Sequence, residues 1–116
     1  MNNLIEVENP EIIYENHILT AKILGDIDHH SARSVREKID ALIFSKRPSM
    51  VVLDLSAVEF MDSSGLGLIL GRYTNAMDAG SDFLIYKPTG RVRKILELAG
   101  IERIIQIEGD SRNEAC

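Results

Sequence analysis

Apolar residues along this chain gather in short blocks, and the spacing inside each block predicts its backbone. Ile12 to Tyr14 and Ile18 to Leu24 read as two strands around Glu15-Asn16-His17, where Asn and His tolerate turn geometry, so a hairpin is expected. Gly25 breaks the pattern. From Ser31 to Phe44, Val35, Ile39, Leu42 and Ile43 fall at helical spacing with polar Arg36, Lys38 and Asp40 between them, and Ser31 or His30 occupies the expected cap position. Pro48 closes that segment. Met50 to Leu55 is a continuous apolar run rich in β-branched residues, which suits a strand covered on both faces in the middle of a sheet. Asp62-Ser63-Ser64-Gly65 opens a second helix whose stripe is Leu66, Ile69, Leu70, Tyr73 and Met77, with Gly80 just past its end. Phe83 to Tyr86 is the next strand. Pro88 suits the start of a helix carrying Val92, Ile95, Leu96 and Leu98 and stopped at Gly100. Ile104 to Ile107 reads as a last strand, and Glu108 to Cys116 as a polar, frayed tail.

Strands alternating with helices after residue 25 imply a single α/β domain with a mixed central sheet, helices packed on it and the hairpin at one edge. A length of 116 residues suits one core, and there is no repeat or linker. Expected boundaries are an N-terminal extension over 1–10, the domain over 11–110 and a tail over 111–116.

Charge narrows the partners. The net charge is -5, which argues against direct DNA binding because phosphate recognition needs a basic face. The single cysteine, Cys116, excludes an intramolecular disulfide and a cysteine metal cage and fits a reducing cytoplasm. The N-terminus lacks the basic start and apolar core of a signal peptide, and no apolar run reaches the roughly 18 residues that span a bilayer. His17, His29 and His30 lack i, i+4 metal spacing, and the adjacent pair reads as solvated, so no metal site is expected.

Two polar segments should meet beyond the C-terminal ends of the strands, where sites gather in open α/β sheets. They are Gly25-Asp26-Ile27-Asp28-His29-His30 and Phe60-Met61-Asp62-Ser63-Ser64-Gly65. Ser63 as a helix cap would bond a first-turn amide, worth about 1 kcal/mol. Capping needs only one hydroxyl, however, and here a second serine and a glycine follow at once. Asp62 and Asp28 add acidic neighbours that capping by serine does not require. Leu66, Ile69 and Leu70 read as core, Gly65 and Gly67 as points of close approach, and Arg72 as a surface cation able to pair with an acid or a phosphate.

The stretch Phe60-Met61-Asp62-Ser63-Ser64-Gly65-Leu66-Gly67-Leu68-Ile69-Leu70-Gly71-Arg72-Tyr73 resembles the phosphorylation segment of bacterial anti-sigma factor antagonists, which have the STAS fold (sulfate transporter and anti-sigma factor antagonist). Gly25 to His30 resembles the upstream signature of the sporulation branch of that family. The resemblance runs from about Tyr14 to Ile107 with no gap between the motifs. It implies that Ser63 is the phosphoacceptor, and that Asp28, His29, His30, Asp62, Ser64, Gly65, Leu66 and Gly67 form the surrounding pocket and partner surface. It implies a non-enzymatic cytoplasmic switch without a cofactor of its own. Unphosphorylated, such a protein binds an anti-sigma factor that is also a serine kinase and releases a sporulation sigma factor of the F type. A metal-dependent serine phosphatase reverses the modification. No membrane contact is expected, and the free protein is expected to be a monomer. The chain departs from the family pattern in a slightly longer N-terminus and a last helix that is short or missing after Ile107.

Other readings remain open at this point. Val51-Val52-Leu53-Asp54-Leu55 and Lys87-Pro88 suggest a receiver domain phosphorylated on aspartate, although no acidic pair ends an earlier buried strand. A serine hydrolase is a second, although Met61 stands where the Gly-x-Ser-x-Gly elbow needs glycine. A third keeps the STAS fold within another signalling or transport assembly.

Overall fold

The computed structural model describes residues 8–109. In chain order the elements are β1 (Glu11–Glu15), β2 (Ile18–Lys22), α1 (His29–Lys46), β3 (Met50–Asp54), α2 (Ser63–Asp78), β4 (Asp82–Tyr86), α3 (Gly90–Leu98), a single 3-10 turn (Ile101–Arg103) and β5 (Gln106–Glu108). The hairpin forms as expected. Asn16 and His17 both take positive φ (53° and 65°), the geometry that lets a two-residue turn follow the twist of its strands. That turn also anchors the next crossover, because the His17 carbonyl accepts from the Ser49 amide at 2.8 Å and the Ser49 hydroxyl at 3.0 Å.

The five strands lie in the order β1-β2-β3-β4-β5, with β1 antiparallel to β2 and every later pair parallel. A sequential order of this kind has a consequence. Each parallel connection is a crossover, crossovers are right-handed, and three advancing in the same direction place their helices on one face. The core is built accordingly. Leu19, Ala21, Val51, Leu53, Phe83 and Ile85 point from alternate strand positions into a single cluster with Val35, Ile39 and Ile43 of α1, Leu68, Ile69 and Ala76 of α2, and Val92 and Leu96 of α3. The opposite face carries no helix among the described residues. Ile13 and Ile18 are 53% and 40% exposed there, and Val52 is half-buried. The expectation that the central strand is covered on both faces is therefore corrected: an apolar run reports a central strand, and the topology decides how many faces are packed.

Helix starts differ from expectation as well. Neither Ser31 nor His30 caps α1; Asp28 does, and Ser31 is the third helical residue of a capping box. Ser63 does not cap α2 but is its first residue, behind the cap Asp62. Aspartate in extended backbone presents its carboxylate to two or three free amides, so the acid upstream of each serine takes the role. Pro88 is buried ahead of Thr89, which caps α3.

The buried stripe of α2 is Gly65, Leu68, Ile69, Arg72 and Ala76. Ile69 fits the expected core and Leu66 and Tyr73 pack partly against it, but Leu70 and Met77 are 37% and 51% exposed. The surface position expected for Arg72 is corrected: it lies at 5% exposure, which rotates the buried face away from Leu70. The last strand begins two residues late, since Ile101 and Ile105 plug the core and Ile104 faces outward before Ile107 pairs with Ile85. Glu108 belongs to that strand; the rest of the expected tail after Gly109, and the expectation of a short or missing last helix, lie outside the described residues, as does the extension before residue 8. Among the described residues no helix is long and apolar enough to cross a membrane.

Candidate functional site

Two strand-to-helix loops are joined at the C-terminal edge of the sheet, as expected. Ile27 and Met61 form an isolated parallel bridge, with the Ile27 amide donating to the Phe60 carbonyl at 3.1 Å and the Asp62 amide to the Ile27 carbonyl at 3.2 Å. The Asp26 carboxylate adds a bond from the Phe60 amide at 3.2 Å, and the Asp26 carbonyl accepts from the Ser31 hydroxyl at 3.2 Å. Asp28 and Asp62 each follow a bridged residue directly, so the register sets the two helix caps side by side. The bridge carries Ile27 and Met61 into the core, where both are buried, while Phe60 beside Met61 faces outward. A third loop is attached through Thr89, whose hydroxyl donates to the Val58 carbonyl at 3.0 Å.

At α1 the cap is saturated. Asp28 Oδ1 accepts from the His30 and Ser31 amides, both at 2.9 Å, while its own amide donates to Ser31 Oγ at 3.1 Å. The Ser31 amide holds the Asp28 carboxyl below the usual carboxylate range; desolvation opposes it, and the His30 amide and Ser31 hydroxyl add smaller lowering contributions. His29 and His30 are exposed in the first turn, and neither side chain hydrogen-bonds Ser63 or Ser64.

At α2 one amide is tied. The Ser64 amide donates to Asp62 Oδ1 at 2.7 Å, and Gly65 closes the turn on the Asp62 carbonyl at 2.9 Å. Ser63 is exposed, and its hydroxyl makes no hydrogen bond among the described residues. Ser64 is half-buried. Gly65 and Gly67 serve different ends. A Cβ at Gly65 would stand 2.7 Å from Met61 Cβ and 2.8 Å from its sulfur, so the bridge residue and helix pack only around a bare backbone. A Cβ at Gly67 would meet nothing within 4 Å, and this position faces open space. Leu66 leans on the core rather than standing free.

Behind the serines, α1 and α2 border a cleft of about 520 Å³ lined by His29, Ala32, Arg33 and Arg36 from one helix and Ser64, Gly67, Leu68 and Arg72 from the other. Arg72 Nε stands 2.7 Å from Asp40 Oδ1, which also accepts from Asn75 at 2.8 Å. Asp40 thus forms a close ion pair with Arg72 across the helices, and Nη1 has no hydrogen-bond partner among the described residues. Burial pushes the Arg72 guanidinium down, and Asp40 partly restores it. Arg33 and Arg36 carry no site expectation from sequence, Asp26 and the exposed Phe60 enter there only as members of the two polar segments, and Arg72 is expected as a surface cation rather than a buried one. Only Arg72 carried a signal, as a lone cation inside an apolar helix.

A mixed sheet in sequential strand order, its helices on one side among the described residues and two capped helix starts joined at its edge, defines a small α/β signalling-type fold class. The chain belongs to the STAS domain family, whose profile matches residues 9–114. It is 34% identical over 107 residues to an anti-sigma F factor antagonist of Paenibacillus polymyxa, covering 90% of this chain and 92% of that one. It is 32% identical over 80 residues to an anti-sigma F factor antagonist of Lysinibacillus sphaericus, covering 69% and 68% of the two chains. The solved structure of the anti-sigma factor antagonist SpoIIAA in its unphosphorylated form superimposes with a TM-score of 0.76 at 25% identity, over 91% of each chain. The receiver reading falls with this result. Receivers follow the strand order 2-1-3-4-5, not the sequential order found here. Lys87 lies over the Tyr86 ring, 5.6 Å from its centroid.

Proposed function

We propose that the chain is a cytoplasmic anti-sigma factor antagonist that docks through the start of α2 on an anti-sigma factor acting also as a serine kinase, and thereby frees a sporulation sigma factor of the F type. Phosphorylation of Ser63 releases it, and a metal-dependent serine phosphatase restores it. The observation that carries this reading is that Ser63 stands exposed with an unengaged hydroxyl while Asp62 does the capping. The serine contributes nothing to the helix start that its neighbour does not already supply, so its presence fits a task outside the fold. Relatives named for antagonism of an anti-sigma F factor support the partner and the branch.

Electrostatics supply the switch. Phosphorylation adds about -1.5 to -2 charges at neutral pH. A helix N-terminus favours an anion by about 0.3–1 kcal/mol, so the helix survives the modification. An interface shaped for a neutral hydroxyl must instead desolvate a dianion next to Asp62, and charge mismatch there costs several kcal/mol. At 1.4 kcal/mol per decade, the affinity falls by about a hundredfold or more. Asp28, His29, His30, Ser64 and Gly67 surround the hydroxyl on this reading and meet the partner; Gly65 and Leu66 hold the helix start in place. The test is mass mapping after incubation with the kinase and ATP, together with partner binding by Ser63→Ala and Ser63→Asp. Phosphate on Ser64 alone, or tight binding by both variants, would contradict it.

A further inference from the structure

We propose that the cleft between α1 and α2 is a receptor for a phosphate dianion, bound by Arg72 at its floor and Arg36 at its wall. Arg72 is 5% exposed and lines the cleft; its Nε is held 2.7 Å from Asp40, yet its Nη1 has no hydrogen-bond partner among the described residues. A buried guanidinium with an unfilled donor forfeits hydrogen bonds that water would have supplied, and such groups are rare without a purpose. Arg36, one turn before Asp40 on α1, makes no ion pair among the described residues and lines the same cleft as Arg72, whose positive charge it disfavours. Arg33 is spent on Glu37 at 3.4 Å. The cleft thus holds three cations against the carboxylates of Asp40 and Glu37, in a chain whose net charge is -5.

The form of the ligand follows from the donors. Two guanidinium groups lining one cleft from separate helices suit a tetrahedral dianion, because each has a planar edge able to serve a pair of its oxygens. Ser64 adds a hydroxyl, and Gly67, where an added Cβ would meet nothing within 4 Å, leaves that part of the lining bare. A cleft of about 520 Å³ exceeds the size of the ion alone, so an ester fits as well as the inorganic ion. Two sources share this chemistry: a free phosphate compound, or a phosphoryl group on the start of α2 itself. The receptor does not depend on Ser63 being modified.

The test titrates the unmodified, isotope-labelled chain with inorganic phosphate at constant ionic strength, with sodium chloride as the control. Saturable shifts at the Arg36, Ser64 and Gly67 amides and at Arg72 Nε are expected. Arg36→Gln, an exposed position with no structural bond, weakens phosphate by about tenfold, the loss of one charge-assisted contact. Arg72→Met abolishes saturation while the remaining spectrum stays dispersed. Linear shifts that chloride reproduces, or unchanged affinity in Arg36→Gln, overturn the receptor whatever Arg72→Met does to the fold. A second arm repeats the titration on chain phosphorylated at Ser63. If its own ester fills the cleft, Arg72 Nε is already displaced and added phosphate no longer binds; if the ligand is free, affinity persists.

Discussion

The starts of α1 and α2 are built from the same parts and finished differently. Each has a bridged apolar residue, a capping aspartate and a serine nearby. At α1 the serine is three residues past the cap and is drawn into a reciprocal capping box with Asp28. At α2 the serines follow the cap at once, and the first of them points outward unbonded. A shift of two positions in a helix turns a structural hydroxyl into an available one. The first loop is thus a brace and the second a display.

The largest expected effect breaks that contrast at the display. Ser63→Asp lowers affinity for the anti-sigma partner by about a hundredfold relative to Ser63→Ala, with melting temperatures of the two variants alike. Isothermal titration beside thermal unfolding checks both halves. The corresponding change at the brace, Ser31→Ala, should reduce stability and leave partner affinity within about twofold, since Ser31 is committed to Asp28 and the Asp26 carbonyl.

Next in size is Asp40→Ala, which strands the Arg72 charge between the helices and costs about 2–3 kcal/mol in urea unfolding. The two glycines of α2 then separate packing from approach. Gly65→Ala collides with Met61 and costs about 1–3 kcal/mol. Gly67→Ala enters open space and gains about 0.5–1 kcal/mol of helix propensity. A Gly67→Ala protein that is more stable yet binds its partner worse would locate the interface on that turn.

The smallest effect concerns pH. Asp28 has a folded-state pKa below its ordinary 3.8, so its stabilising contribution is full above that value and is lost as pH falls through the lower folded value. Asp28→Asn should flatten that portion of the acid limb in denaturation curves recorded from neutral to acid pH, whereas Asp62→Ala lowers stability by about 1 kcal/mol at neutral pH. An unchanged acid limb in Asp28→Asn would deny the brace its carboxylate.

Much of this was legible in the residues. Period-two blocks, β-branched runs and a helical stripe sufficed for α/β order, because local periodicity follows from which side chains share a face. Asp28, Asp62 and Ser63 stood out because strand-to-helix joints collect at one edge of such a sheet, whatever the tertiary detail. What could not be read was that the aspartates rather than the serines do the capping, and that Ser63 is more exposed than Ser64, since capping depends on backbone torsions that both residue types adopt. Nor could the pattern find Arg72, as polarity marks a residue for the surface until an aspartate on another helix comes within reach. The bare side of the sheet was hidden for the same reason. Composition and periodicity decide what each segment prefers to become; only the order of the strands, and the distances it creates between segments remote in sequence, decides which faces are buried and which side chains stand exposed.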